Sequence, residues 1–373
     1  MNTNTSTPPK SKRMHWMDNL RTVIIALVIL YHVGGVYESA GLWGWFWIVD
    51  DPDIFIASGI IGIMFDTFVM PTIFFISGYL VPASLKDKTP LQFVGSKAKR
   101  LLLPWALAVV TLIPLYKVIF LYSRGLPQEN WTTYFHITNP NSQNWLWFLP
   151  LLFAFSMLYL LIEKAGIKFN KISLPWAVVG TVLISFIASY FIGSWLGFRS
   201  WTLTPLIDFE NERVVAHFLT FLVGVLCYKK DIFAILPKKK TLYMVGNSIS
   251  WLPITGHIFL RMWPFFVPDF SVTPLYRILW FLSFHLSSLS MVYVMVESFR
   301  FYLDKPGKLW SELNKNSYGV YIIHVILIGV LGTLLLGLNF PGWAKYPLLF
   351  ILTYVGSNLL ISLYRRGKKA LLG

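Results

Sequence analysis

Apolar residues run along this chain in long blocks, unlike the alternation of a half-buried strand or the narrow stripe of a soluble amphipathic helix. Ten blocks read as membrane spans, at 20–37, 54–83, 101–123, 145–162, 174–196, 214–228, 241–260, 275–297, 317–338 and 346–364. A hydrocarbon core of ~30 Å takes about 20 residues of helix, and only short polar connections separate the blocks. The pattern predicts an all-α fold, a polytopic membrane helix bundle of about ten transmembrane helices. The second block is longer than a straight span needs. Its Gly59, Gly62, Pro71 and Gly78 predict tilt, a break or close helix packing.

Charge gives the blocks a direction. Most of the 32 lysines and arginines fall at 10–21, 86–100, 164–171, 229–240, 300–315 and 365–369, which are alternate connections. The intervening loops hold Asp50, Asp51, Asp53, Asp208, Glu210 and Glu212. The positive-inside rule therefore places both termini in the cytoplasm. Residues 1–19 read as a polar cytoplasmic tail, 20–364 as the membrane domain and 365–373 as a basic cytoplasmic tail. The first apolar run is not a signal peptide, because no small-residue cleavage pattern follows Val36 and the run contains Arg21 and His32.

Composition agrees, with 55% hydrophobic, 17% aromatic and only 13% charged residues and a mean hydropathy of +0.59. The net charge of +15 is explained by topology, since no basic face interleaved with aromatics marks a nucleic-acid surface. Cys227 is the only cysteine, so no intrachain disulfide forms. Its neighbours Leu226 and Tyr228 point to packing, not to an activated thiolate. No internal repeat is visible. A P-loop, a Gly-x-Ser-x-Gly elbow, a dinucleotide fingerprint and a His-Glu-x-x-His motif are all missing, and the histidines are too scattered for a metal site.

Ionisable side chains inside a span are functional candidates. Arg21 and His32 stand eleven residues apart, which returns them to within ~20° of one helix face and separates them by ~16 Å along the axis. An arginine at the inner lip and a histidine near the midplane, pointing into a shared cavity, suit a ligand with an anionic head and a reactive end threaded inward. A CoA thioester has that shape. Arginine supplies a permanent charge and a planar fork, and histidine accepts a proton near neutral pH. The alternative on the same residues is a snorkelling Arg21 and a His32 bonded to a neighbouring helix.

Other residues carry two readings each. His285 and His324 reach depths comparable with His32. His217 and His257 fall near outer helix ends, and His15 and His136 in loops. Ser77 lies at similar depth to His32, although Ser77-Gly78 also permits close helix approach. Glu38 and Asp66, toward the external side, either orient an acceptor hydroxyl or a catalytic histidine, or pair with a basic or amide group on another helix. Trp43, Trp45 and Trp47 suit sugar stacking, and suit an interfacial aromatic belt better.

Several motifs together resemble the membrane acyltransferase 3 family. Asp18 to Tyr37, DNLRTVIIALVILYHVGGVY, is similar to its opening helix, with an arginine, ten residues and a histidine matched by Arg21 and His32. MPTIFFISGYL at Met70 to Leu80 resembles its aromatic pair followed by Ser-Gly. Lys97, Arg100, Leu101 and Pro104 fit its basic pattern at the cytoplasmic start of the third helix. Trp147, Phe148 and Leu149 resemble its Trp-Phe-Leu element, and SYGVYIIH at Ser317 to His324 its Ser-Tyr-Gly, Tyr and His segment. Asn144 departs from the pattern, standing where relatives often have histidine.

The resemblance implies transfer of an acyl group, acetyl first and succinyl second, from cytoplasmic acyl-CoA to a hydroxyl of an envelope or exported glycan or related acceptor. It implies a multi-pass protein of the bacterial cytoplasmic membrane, in the compact form without an SGNH domain. His32 becomes the catalytic base, Arg21 assists the donor, His324 joins the site through its motif, and Lys97 and Arg100 hold CoA phosphates. Ordinary positive-inside anchoring is the alternative for Lys97 and Arg100. The expected partners are the lipid bilayer, acyl-CoA and a hydroxyl-bearing acceptor, with no metal and no nucleic acid. The competing function is a transporter of a polar or lipid-linked substrate, which buried charges and broken helices also serve. A missing inverted repeat argues against it.

Overall fold

Each of the ten apolar blocks forms a helix in the computed structural model, which describes residues 14–38, 47–134, 143–167, 169–235 and 237–372. Among the described residues the order is α1 (His15–Tyr37), α2 (Ile56–Leu85), α3 (Pro90–Lys97), α4 (Leu103–Ser123), α5 (Phe148–Lys164), α6 (Leu174–Leu196), α7 (Val214–Lys229), α8 (Ile232–Ile235), α9 (Lys240–Met262), α10 (Pro274–Tyr302), α11 (Lys308–Leu336) and α12 (Gly342–Leu372). A two-stranded antiparallel ribbon, β1 (Trp201–Thr202) and β2 (Phe209–Glu210), precedes α7 with Trp201 opposite Glu210. Among the described residues, eight helical segments are long and apolar enough to cross a membrane.

The two remaining blocks are shorter or more polar than the pattern suggested. α7 has 16 residues, below the usual span. α9 has 23, but carries Asn247, Ser248, Ser250, Thr255, His257 and Arg261. The first helix also starts earlier than residue 20. Its leading turn is pinned, with the Trp16 backbone N–H donating to Asp304 at 3.2 Å and Asn19 Nδ2 donating to the Leu303 carbonyl at 2.8 Å.

α2 runs unbroken through Pro71 and Pro82, so its glycines serve packing and not a break. α2 and α7 make the most extensive helix pairing. A methyl group at Gly78 would run into the Phe221 carbonyl, and one at Gly224 into the Phe75 carbonyl. Backbones approach this closely only where both helices offer a small residue. At the periphery, α6 and α12 expose Leu183, Ile184, Ile187, Phe191, Ile351 and Val355, as lipid-facing helices should.

The basic connections gather at one end of the bundle. Trp16 of α1 packs against Phe233 beyond α7, and Tyr318 of α11 bonds to Arg100. At the opposite end a buried Lys345 bridges Asp51 at 3.1 Å and Asp53 at 2.7 Å. The 143–147 stretch enters the bundle instead of capping it. Trp145 Nε1 donates to the Ile322 carbonyl at 3.0 Å, and the Tyr321 hydroxyl donates to the Trp145 carbonyl at 2.5 Å. Both contacts lie about 20 Å along α11 from its start.

Gly78→Ala or Gly224→Ala should force α2 and α7 apart and cost about 1–3 kcal/mol, read as a lower melting temperature in detergent. Gly180→Ala, where a methyl meets nothing within 4 Å, should leave the melting temperature unchanged or raised. Equal melting of all three variants would show that the close approach does not hold the pair together.

Candidate functional site

Pro104 has no backbone N–H, so the Arg100 carbonyl four residues earlier loses its α-helical donor. The chain winds as a π-turn over Ala98–Leu102, and the Tyr318 hydroxyl donates to that carbonyl at 2.7 Å. This join of the π-turn to α11 closes one side of a cavity of about 250 Å³ at the basic end. Arg21, Ser77, Lys97 and Arg100 all line it, with Ser317, Tyr318 and Tyr321 from α11. Residues from four separate stretches of sequence therefore meet around one space.

Arg21 is held there by long contacts, 3.5 Å to Asp18 and 3.4 Å to the Asn314 carbonyl. Asn314 also accepts from Thr22 at 2.5 Å and donates to Asn19 at 2.9 Å, a polar seam that fixes how α1 is rotated against α11. Lys97 lies over the Phe93 ring at 5.3 Å, and Arg100 is exposed. With Lys315 of α11, four cations thus frame the mouth, beside apolar Ile25, Ile73 and Leu152. The cavity suits an anionic head with an extended tail.

His32 does not line this cavity, contrary to the expectation that it shares one with Arg21. Tyr321 and Phe148 form the deep wall, and the His324 ring lies 5.9 Å beyond the Tyr321 ring. His32 and His324 form a pair there, with His324 Nε2 3.2 Å from His32 Nδ1. His32 Nδ1 also faces the Val28 carbonyl at 2.8 Å, and His324 Nδ1 the Tyr321 carbonyl at 2.6 Å. A carbonyl only accepts, so both Nδ1 atoms carry hydrogen. The one hydrogen of His32 Nδ1 is then shared between the Val28 carbonyl and His324 Nε2, and the basic lone pair of His32 lies on Nε2.

Aromatic rings surround the pair. Trp47 stacks on His32 at 5.4 Å and 18°, and Tyr116 bridges Trp47 and Trp145 at 6.4 Å and 6.0 Å. Trp47 is buried, so it belongs to the histidine site and not to an interfacial belt. Trp43, Trp45 and His136 lie outside the described residues. Asn144 sits at a positive φ of 45° and bonds the Tyr116 hydroxyl, so a polar contact persists at that position.

Asp66 adopts the pairing alternative. Its two oxygens each accept from Arg213 at 2.9 Å, and Arg213 also pairs with Glu210 at 3.1 Å. Arg261 stands 3.9 Å from the same Asp66. Tyr31, next to His32, lies within electrostatic reach of Asp66, Arg213, Arg261 and Glu210. Glu38 caps the far end of α1, half-buried. His285 joins a different group, 2.9 Å from the Ser189 hydroxyl, which donates to the Glu212 carbonyl. His217 stacks on Phe74 at 4.9 Å, and His257 bonds Ser283 at 3.0 Å. In the 197–213 loop, burial pushes the Glu212 carboxyl up to about 7 and that of Asp208 up to about 6.

Arg199, Arg213, Arg261 and Tyr31 are neighbours of these groups that pattern reading passed over, whereas Tyr321 stood within the SYGVYIIH motif. A signal was available for the arginines. They lie on the side from which the positive-inside rule removes cations, so each needs a reason to be there.

A family model described as an acyltransferase domain, acyltransferase 3, matches residues 14–362. No curated protein and no solved structure matches the chain.

Arg213→Met should leave two half-buried carboxylates, Asp66 and Glu210, without their main partner and destabilise the protein by about 1–3 kcal/mol, measured by heat denaturation in detergent. Adding Asp66→Asn and Glu210→Gln to that variant should recover most of the loss. No recovery would mean that Arg213 acts through packing alone.

Proposed function

The chain belongs to the acyltransferase 3 family, and from that membership we propose that this multi-pass membrane acyltransferase carries an acetyl group from cytoplasmic acetyl-CoA to a hydroxyl of an envelope or exported glycan. Succinyl is the second choice of acyl group. The observation that carries this reading is the cavity framed by Arg21, Lys97 and Arg100, whose deep wall backs onto the His32–His324 pair. Membership in a transferase family also favours this reading over a transporter.

In this reading the basic end faces the cytoplasm, and Arg21, Lys97 and Arg100 take the phosphates of CoA, where guanidinium and ammonium groups match phosphate charge and geometry. The pantetheine arm follows the apolar depth of the cavity toward Tyr321. Ser77, on the cavity wall, contacts the donor and not the acceptor. The acceptor hydroxyl arrives from the opposite end and gives its proton to His32 Nε2 as its oxygen bonds to the thioester carbonyl carbon. The carbon–sulfur bond then breaks, and the departing thiolate takes the proton from His32. During the step the positive imidazole is stabilised through Nδ1 by the Val28 carbonyl and the His324 lone pair. His324 is thus a positioning residue for the base. The ring of Trp47 holds the imidazole plane. Tyr321 and Phe148 must move for donor and base to meet, a rotamer change of two aromatic side chains.

Purified protein given labelled acetyl-CoA and a panel of glycan acceptors should show transfer that falls by about 10²-fold or more in His32→Ala at unchanged melting temperature. Full turnover in that variant would eliminate His32 as the base. Arg100→Ala should raise KM for the donor severalfold with little change in kcat. An unchanged KM would remove Arg100 from the donor site.

A further inference from the structure

Seven of the chain's lysines and arginines lie outside the basic clusters: Lys117, Arg124, Arg199, Arg213, Arg261, Arg277 and Lys345. Most have protein partners. Lys117 pairs with Glu129, Lys345 with Asp51 and Asp53, and Arg213 with Asp66 and Glu210. Arg124 donates to the Trp47 carbonyl at 2.8 Å, and Arg277 to Ser194 at 3.3 Å. Arg199 and Arg261 differ. Among the described residues neither guanidinium makes a hydrogen bond, and Arg261 has only Asp66 at 3.9 Å, a carboxylate already taken at both oxygens by Arg213.

Arg261 is nevertheless buried, with its side chain 6% exposed and Nη1 sealed from solvent without a hydrogen-bond partner. A desolvated guanidinium in that condition is costly. Both arginines line a second cavity of about 310 Å³ at the end opposite the basic connections. Arg199 is set there by a positive φ of 59°, uncommon for a residue with a side chain, and its backbone N–H donates to Glu212 at 2.8 Å. Three guanidiniums, of Arg199, Arg213 and Arg261, therefore face two carboxylates, Asp66 and Glu210. The third nearby carboxyl, Glu212, is drawn to the Arg199 backbone, and burial favours its neutral form.

The rest of the lining is apolar and mostly aromatic. Trp280, Tyr276 and Phe198 form an edge-on cluster with ring separations of 5.1 Å to 6.3 Å, and Arg261 lies against Trp280 at 5.2 Å. The Tyr276 hydroxyl donates to the Leu260 carbonyl at 2.9 Å, which fixes its ring. From this cavity the charges of Arg261, Asp66 and Arg213 lead to Tyr31, the neighbour of His32.

We propose that this cavity is an oxyanion site in which Arg261 and Arg199 take a phosphate or carboxylate of the hydroxyl acceptor, while Trp280, Tyr276 and Phe198 cover its body. Identifying the occupant as the acceptor rests on the transfer reaction proposed above. The acceptor class is accordingly an anionic glycan or sugar phosphate, held with its charged group away from the reacting hydroxyl. A phospholipid headgroup presents the same oxyanion chemistry from a second source.

Full-length protein in phosphatidylcholine nanodiscs, with coenzyme A in excess to occupy the basic end, would be titrated calorimetrically with glucose 1-phosphate and with glucose. Glucose 1-phosphate should bind and glucose should not, and affinity should fall about tenfold or more in Arg261→Gln and in Arg199→Gln. Arg199 is exposed, so its variant tests the site even where Arg261→Gln fails to fold, and Arg261→Lys should retain part of the binding. A repeat in phosphatidylglycerol nanodiscs separates the sources. If that lipid abolishes the sugar phosphate response and raises the melting temperature of the parent but not of Arg199→Gln, the oxyanion is a headgroup. Indifference of both readouts to both arginines overturns the site. Loss of this binding with intact acetyl transfer would count against the cavity alone, whereas arginine-dependent binding alongside full transfer by His32→Ala would count against the base alone.

Discussion

A carboxylate about 15 Å along α2 from its start is clasped at both oxygens by Arg213, and much of the bundle follows from that ion pair. A charge in a low-dielectric slab needs a partner at hydrogen-bonding distance. Arg213 is the residue immediately before α7, so satisfying Asp66 draws the 197–213 loop inward and starts α7 deep. A helix starting there reaches the basic end in 16 residues, which explains why it is shorter than a full span. It also presents Gly224 to α2 at the level where Gly78 allows contact.

α1 plays the complementary part. Asn19 and Thr22 lock to Asn314, and His32 meets His324. Both ends of its polar face are thereby held against α11. Arg21 then opens to the basic-end cavity, while His32 lies behind Tyr321 and Phe148. Two polar sites on one helix face are separated by an aromatic layer, which keeps the charged mouth and the imidazole pair in different surroundings.

The positive-inside bias also gives the opposite end its meaning. Few cations are placed there, and most are paired with carboxylates or hydrogen-bonded to hydroxyls or carbonyls of the chain. Arg199 and Arg261 stand out against that background because their surroundings are aromatic and the nearby carboxylates are already bonded. The two cations of that cavity come from separate places, Arg199 from the loop that Arg213 pulls inward and Arg261 from the last turn of α9.

Much of this was legible in one dimension. Continuous apolar blocks of span length can be satisfied in lipid only by helices, so the all-helical bundle follows from local composition. The motif residues Arg21, Ser77, Lys97, Arg100, Ser317 and His324 were also visible, because each either is out of keeping with an apolar span or matches the family spacing. Gly78 announced a close approach through its own backbone property. Which groups share a space was not legible. The rotation of α1 against α11, the inward path of the 143–147 and 197–213 stretches, and the transfer of Asp66 from possible acceptor ligand to partner of Arg213 all depend on contacts between residues far apart in the chain. Periodicity reports the face of a single helix, whereas a buried charge or a cavity is defined by what neighbouring helices bring to it, and that is settled only when the whole bundle packs.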